Sequence, residues 1–214
     1  DDAKPGPLRD WFPCDACPAL HPGPLGDRRR ALSYGELREQ LAATPEDLPE
    51  RVAIALGEEE AAELAVLLLA IIDRGRTACP LDPRLPAEAL GSALRRLRCG
   101  LAVGSSRGGE QSTGAALRAV TEPEGIPVIA IEPDPEVCGI FAWPPRATTS
   151  TSSSSLASGC LAEPPALLLH TAGTTERPKV VALSAANLRH SARSFAEGVQ
   201  LTRSDVCLGA QPLF

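Results

Sequence analysis

Nine consecutive residues near the end of the chain, 171–179, combine the side chains best suited to holding phosphate groups. The segment T-A-G-T-T-E-R-P-K places three hydroxyls, a glycine and two cations between two apolar stretches. Hydroxyls and free backbone N–H groups donate to phosphate oxygens, and Lys179 adds a positive point charge. It is not a Walker A loop, because the required glycine spacing is absent and Val180 follows the lysine. Composition alone leaves a phosphate-binding loop and an ordinary polar loop both open.

The elements around this segment predict a parallel sheet covered by helices. An apolar strand is predicted at 166–170 and an extended stretch at 180–183, so the polar segment lies beyond the end of a buried strand. Ligands of open α/β sheets bind at such strand ends. Earlier in the chain, strands and helices alternate, which is typical of right-handed β-α-β units. The predicted strands are 51–56, 77–81, 101–103 and 126–131, and the predicted helices are 58–73, 87–98 and 115–120.

Two serines mark the beginnings of further helices. Ser33 precedes a predicted helix near Tyr34, and Glu36 completes a capping-box pattern. Ser184 begins a second helix that runs to about Val199. Short extended segments are predicted near residues 19–20 and 31–34, and a last strand is predicted at 206–208.

The chain divides into four predicted parts. Residues 1–30 form a Pro/Gly-rich lead-in, and 31–132 form the first α/β part. Residues 133–165 are predicted to be a Ser/Pro-rich flexible insertion, because a tract such as A-T-T-S-T-S-S-S-S cannot bury apolar surface. Residues 166–214 carry the phosphate-loop part and end abruptly, so both chain ends are expected to be fragment ends.

The charge balance argues against nucleic acid as a partner. The net charge is −6 and aromatic residues make up 3% of the chain. Nucleic-acid binders need excess cations to displace counterions and aromatic rings on which bases stack. The basic cluster at residues 28–30 is expected to be a solvated turn.

Cysteine usage and hydropathy limit the remaining classes. The seven cysteines are irregularly spaced, which favours free thiols over a disulfide framework. Cys14, Cys17 and His21 could form part of a zinc site, but structural zinc normally takes four ligands, so no metal-ligating residue is predicted. The longest apolar run, 64–72, is far shorter than the ~20 residues that span a bilayer. Cytoplasmic and peroxisomal locations both stay open.

The segment L-L-L-H-T-A-G-T-T-E-R-P-K-V-V-A-L resembles the phosphate-loop signature of the adenylate-forming, or AMP-binding, superfamily. Three other stretches resemble family motifs in the same order: L-S-Y-G-E-L at 32–37, the block at 51–88, and Q-P-L-F at 211–214. Four ordered resemblances across the chain are more specific than any single motif. His170, the Arg177–Lys179 stretch and residues 201–205 are similar to the oxalate–CoA and fatty-acid–CoA ligase groups.

The resemblance implies an α/β fold, namely part of a large N-terminal domain with mainly parallel sheets flanked by helices, here incomplete. It also implies activation of a small carboxylic acid by ATP with Mg²⁺, and transfer of the acyl group to the thiol of CoA or of a carrier protein. The residues that would contact the ATP phosphates are Thr171, Gly173, Thr174, Thr175 and Lys179, with Ala172, Glu176 and Arg177 as weaker candidates.

Three residues depart from the family pattern. Ala172 replaces the usual serine, Glu176 places a carboxylate beside a polyphosphate, and Val180 replaces the usual glycine. These departures leave open a non-catalytic, degenerate nucleotide-binding remnant. The family motifs for adenine, ribose and the catalytic lysine are also absent from the sequence, so the isolated chain is expected to be inactive. The acid substrate is not indicated.

Overall fold

The computed structural model describes residues 18–20, 28–144, 164–170, 179–202, 204–207 and 213. Nine strands and five α-helices lie within these ranges. The strands are β1 (Pro18–Leu20), β2 (Leu32–Ser33), β3 (Arg51–Ile54), β4 (Thr77–Pro80), β5 (Leu101–Ser105), β6 (Val128–Pro133), β7 (Phe141–Ala142), β8 (Pro165–His170) and β9 (Val180–Ser184). The helices are α1 (Tyr34–Ala42), α2 (Ala61–Asp73), α3 (Ala87–Leu97), α4 (Thr113–Thr121) and α5 (Ala185–Gly198).

Seven strands form one mixed sheet in the order β7-β6-β5-β3-β4-β8-β9. Strands β3, β4, β5, β6 and β8 are parallel, while β7 and β9 run antiparallel at the two edges. Strands β1 and β2 form a separate antiparallel pair. The prediction of a mainly parallel sheet is therefore confirmed, with an antiparallel strand at each edge.

Helices cover both faces of the sheet because successive side chains of a strand point to opposite sides. On β3, Val52 and Ile54 belong to one buried apolar cluster, and Ala53 belongs to the other. The first cluster is completed by α1 and α2, and the second by α3 and α4. Two helical layers around a parallel sheet bury its faces, as the sequence pattern predicts.

Helix α2 lies deepest among the covering helices. Val66, Leu67 and Ala70 are all 0% exposed, which fits a helix that is apolar on more than one side. Gly75 ends it with a φ of +67°, a left-handed conformation that glycine adopts readily. The helix begins at Ala61, three residues later than predicted, because residues 58–60 form a short 3₁₀ turn.

The capping box predicted for α1 is confirmed. Ser33 Oγ accepts the Glu36 N–H at 3.2 Å, and Glu36 Oε2 accepts the Ser33 N–H at 2.9 Å. Arg30 also donates to both Glu36 oxygens. Its hydrogen bonds are the main reason that the pKa of the Glu36 carboxyl is lowered to about 2. The carboxylate therefore stays ionised and keeps the box formed at neutral pH.

Replacing Ser33 with Ala is expected to lower the free energy of unfolding by about 1 kcal/mol, because one N–H of the first turn loses its acceptor. Ser33→Asp, which retains an acceptor at this position, is the matched control and should stay within about 0.5 kcal/mol of the original chain. Urea unfolding followed by circular dichroism measures both. Equal losses in the two variants would show that the cap does not stabilise α1.

The solvated turn predicted at residues 28–30 is wrong for its central residue. Arg29 is 8% exposed and forms an ion pair with Glu63, which is 0% exposed. Backbone hydrogen bonds of the neighbouring Arg30 favour this position. The Arg30 N–H donates to the Glu136 carbonyl oxygen, and the Arg30 carbonyl oxygen accepts the Cys138 N–H. These bonds hold the Arg30 backbone beside the connection between β6 and β7, and the neighbouring Arg29 side chain is buried against Glu63.

Secondary structure continues past the predicted start of the insertion at residue 133. Residues 133–144 begin the predicted flexible insertion, yet β7 lies among them and pairs with β6. Phe141 is 4% exposed, stacks edge-on against Trp143, and its carbonyl accepts a hydrogen bond from Gln40. Apolar side chains between the prolines supply this packing. Residues 145–163 of the predicted insertion lie outside the described residues, and Pro165 at its end begins β8.

The far edge of the sheet is less covered than its centre. Helix α5, of which every residue is described, has no buried residue. Its Phe195 is 61% exposed, and Val181 of β9 is 41% exposed. The strand predicted at 206–208 is not confirmed, because Val206 lies outside any strand and is 77% exposed.

Candidate functional site

The candidate site lies where β8 ends and β9 begins. β8 runs parallel to β4, with Leu167 paired to Ala78, and antiparallel to β9, with His170 paired to Val180. The carboxyl end of β8 is therefore on the same edge of the sheet as the carboxyl ends of β3, β4, β5 and β6. Ligand sites of parallel sheets form at this edge.

Apolar residues and one hydrogen bond hold β8 in place. Ala166 and Leu168 are buried on one face of the sheet, and Leu167 packs against the cluster on the other. At the start of the strand, the Thr77 hydroxyl donates to the Pro165 carbonyl at 2.6 Å. The strand is thus fixed by β4 before the chain reaches the sheet edge.

Of the residues predicted to bind phosphate, Lys179 lies within the described ranges. Lys179 is described: it is exposed and comes immediately before β9, next to the His170–Val180 pair. The hairpin therefore brings Lys179 to the end of β8, where the predicted loop begins. The residues that lie outside the described ranges are Thr171, Ala172, Gly173, Thr174, Thr175, Glu176 and Arg177.

His170 is the residue at this edge that sequence reasoning did not select as a ligand contact. Within the described part of the chain, its Nε2 is buried and has no hydrogen-bond partner. Burial lowers the pKa of the imidazole, and the nearby charge of Arg96 lowers it further. The ring is therefore neutral at pH 7, with Nε2 buried and without a hydrogen-bond partner among the described residues. A polar residue ending an apolar strand was the available signal.

The turn after β4, which neighbours β8, is charged but internally compensated. Arg84 Nη1 is 2.9 Å from Glu58 Oε1, and Arg84 Nε is 2.9 Å from Asp82 Oδ1. The hydrogen bond from Arg84 is the main cause of a lowered pKa for Asp82. These side chains are largely exposed, so water screens the interaction. The turn consequently adds little net positive charge for an anionic ligand.

The described residues offer no protein-built metal centre. They contain no group of three or more His, Cys, Asp or Glu side chains that could hold a metal ion. Cys14, Cys17 and His21, considered above for zinc, lie outside the described ranges. The described helices include none that is long and apolar enough to cross a membrane.

Comparisons with known proteins agree with one another. The family described as AMP-binding enzyme matches residues 18–214. Among curated proteins, the chain is similar to a probable CoA ligase, CCL9 of Humulus lupulus, with 30% identity over 167 residues. That similarity covers 75% of this chain and 30% of the ligase.

Two solved structures have the same fold over nearly the whole chain. ATP-bound MatB from Rhodopseudomonas palustris is similar with a TM-score of 0.67 at 22% identity, covering 95% of this chain and 39% of that one. A malonyl-CoA ligase ternary product complex with methylmalonyl-CoA and AMP is similar with a TM-score of 0.60 at 25% identity. It covers 92% of this chain and 39% of its own. The chain thus spans less than two fifths of these relatives.

Proposed function

Because the chain belongs to the family of AMP-binding enzymes, we propose that it takes part in ATP-dependent activation of a carboxylic acid and transfer of the acyl group to CoA. The observation that carries the proposal is that the family match runs through the β8–β9 hairpin and its T-A-G-T-T-E-R-P-K connection. Since the chain spans 30% of the curated ligase, the activity is proposed for the whole protein.

The proposed reaction has two steps. A carboxylate oxygen of the acid attacks the α-phosphorus of ATP, the bond to the β-phosphate oxygen breaks, and pyrophosphate leaves. The sulfur of the CoA thiol then attacks the acyl carbon, its proton passes to solvent, and AMP leaves. Both steps move negative charge onto phosphate oxygens, so positioned donors and cations near these oxygens favour them.

We assign the phosphate contacts to the hairpin connection. The hydroxyls of Thr171, Thr174 and Thr175 are the donors, the Gly173 backbone allows close approach, and Lys179 supplies charge. Support for Lys179 comes from its place beside the His170–Val180 pair at the carboxyl edge. Ala172, Glu176 and Arg177 are weaker candidates, since the first lacks a donor and the second repels phosphate.

His170 lies at the same edge of the sheet, but its unpartnered Nε2 is buried, so we assign it no ligand contact. Mg²⁺, when bound with ATP, would neutralise part of the phosphate charge. The described residues contain no group of three or more side chains that could hold a metal ion, so we propose no metal ligand among them.

Lys179→Met is expected to weaken ATP binding by the chain at least about tenfold, because a charge-assisted contact worth about 1.5–3 kcal/mol is removed. Isothermal titration with ATP measures the affinity. Lys4→Met, which removes the other lysine of the sequence, is the matched control and should bind ATP like the original chain. Equal affinities in all three proteins would exclude Lys179 from the site.

The acid chemistry needs its own assay. Acid-dependent exchange of pyrophosphate into ATP reports the first step, and CoA thioester formation reports the second. A panel of fatty acids and small dicarboxylic acids, including malonate because one similar structure is a malonyl-CoA ligase, would identify the acid. In the whole protein, ATP binding without exchange for any acid would favour a non-catalytic nucleotide-binding remnant.

A further inference from the structure

Two carboxylates at the beginning of α2 are buried, and their partners differ. Glu63 is 0% exposed, and its Oε1 accepts hydrogen bonds from Arg29 and from the Gly139 N–H, the latter at 3.1 Å. Glu60, the N-cap residue, is 2% exposed. Its Oε2 accepts the Gly57 N–H at 3.3 Å, whereas Oε1 has no hydrogen-bond partner in the described structure. Glu63 therefore has a counter-charge and Glu60 does not.

The position of Glu60 connects two neighbouring strands. It follows the carboxyl end of β3 and interacts with Ser105, the last residue of the adjacent β5. The charged groups that face it are Arg107 from the loop after β5 and Glu63 from its own helix. Arg107 is exposed, so water screens its attraction. Glu63 repels a second negative charge.

Burial decides the protonation of Glu60. Removing an ionised carboxylate from water without a partner is strongly unfavourable, and the group takes up a proton instead. Burial is accordingly the largest influence on the pKa of Glu60 and raises it. The Ser105 hydroxyl and the Gly57 N–H favour the charged form but do not outweigh burial.

A bound cation is the competing way to neutralise this carboxyl. The described residues contain no group of three or more ligating side chains. A proton neutralises Glu60 without needing additional ligands.

We propose that protonation of Glu60 stabilises the turn joining β3 to α2. Neutral Glu60 holds this turn against the end of β5, and ionisation of Glu60 loosens both the turn and the segment that follows β5. The ionised group would stand about one helical turn from the Glu63 carboxyl, which is paired with Arg29, at a position where Glu60 is only 2% exposed. The segments that loosen are residues 57–60 and 105–112, on the carboxyl edge of the sheet. This loosening is expected with or without bound nucleotide.

The direction of the pH dependence follows from the raised pKa. The folded chain keeps a proton on Glu60 that the unfolded chain releases near the ordinary carboxyl value of 4.5. Stability is therefore lost as pH rises from that value to the raised pKa of the folded chain, and it is constant above it. At acid pH both states are protonated and Glu60 contributes no pH dependence.

Thermal midpoints of the chain and of the Glu60→Gln variant, measured from pH 4 to pH 9, test the proposal. The amide resembles the protonated carboxyl, so the midpoint of the variant should rise relative to that of the original chain as pH increases above 4.5, and the difference should become constant above the raised pKa of Glu60. Glu59→Gln, an exposed neighbour in the same turn, should show no such gain. A pH-independent difference for Glu60→Gln would overturn the proposal.

Two further measurements keep the test decisive. If Glu60→Gln does not fold, Glu60→Met also removes the ionisable group and must show the same gain with pH. Hydrogen exchange at pH 8.5 should be faster at residues 57–60 and 105–112 in the original chain than in the variant. Equal exchange rates in these segments of the original chain and the variant would contradict the proposed loosening.

Discussion

Replacing Glu63 with Gln is expected to lower the free energy of unfolding by about 3 kcal/mol, because the desolvation of Arg29 is no longer offset by the Glu63 charge. Both side chains are buried, with exposed fractions of 7% for Arg29 and 0% for Glu63. The substitution keeps the size of the side chain and an oxygen that can accept the Gly139 N–H. Charge, rather than packing, is therefore the quantity that changes. Urea unfolding measures the loss.

The exposed neighbour Glu59 supplies the control for this experiment. Glu59→Gln removes one negative charge from the 3₁₀ turn just before α2 and should change stability by less than about 0.5 kcal/mol. Arg29→Met and Glu63→Gln should also be strongly non-additive, since each removes the same ion pair. Additive losses would show that the two side chains stabilise the fold independently.

The second large effect is expected for Gly104→Ala, with a loss of about 3 kcal/mol. A Cβ on Gly104 would lie 2.6 Å from the Gly114 nitrogen and 2.9 Å from the Thr113 carbonyl carbon. These are backbone atoms at the beginning of α4, so they cannot rotate away as a flexible side chain would. Either β5 or α4 must shift, which forces strain into a well-packed core. Thermal and urea unfolding both report the loss.

Gly198 provides the matched glycine. A Cβ there meets no atom of the described structure within 4 Å, and the residue ends α5. Gly198→Ala should leave stability unchanged or raise it by up to about 1 kcal/mol, since alanine favours helix. If Gly104→Ala unfolded at the same urea concentration as Gly198→Ala, the close approach of β5 and α4 would not exist in solution.

Features determined by neighbouring residues were predictable from the sequence. The capping box of Ser33 and Glu36 needs only two residues three positions apart, and the structure contains it. The alternation of strands and helices likewise depends on local hydrophobic periods. The order of the strands in the sheet was less predictable from the sequence. The pattern indicates that the strands are parallel, but it does not indicate which strands are neighbours.

Features determined by distant contacts were not predictable. Arg29 and Glu63 are 34 positions apart, and each looks like an ordinary surface charge in its own segment. Glu60 belongs to an acidic first turn of the kind that the helix dipole favours on the surface. Only its burial, which raises the pKa of its carboxyl, distinguishes it from its neighbours. The strand predicted at 101–103 stops before Gly104, whereas β5 extends to Ser105 and packs against the beginning of α4.

The candidate site was predicted in part. Composition and family resemblance selected residues 171–179, and the structure puts His170 and Lys179 together at the carboxyl edge. The roles of Thr171, Gly173, Thr174 and Thr175 stay predictions, since these residues lie outside the described ranges. His170 was noted only as part of a motif, because its buried nitrogen becomes visible only in three dimensions.

The antiparallel pairing of β8 and β9 has a consequence for how such a site can change during evolution. The connection after His170 leads into a strand, whereas a Walker-type loop leads into a helix whose amino terminus contributes a backbone charge of about half an electron. That backbone contribution survives most substitutions. In the proposed site, positive charge comes from side chains such as Lys179, so single substitutions can strengthen or silence the site while the sheet is retained.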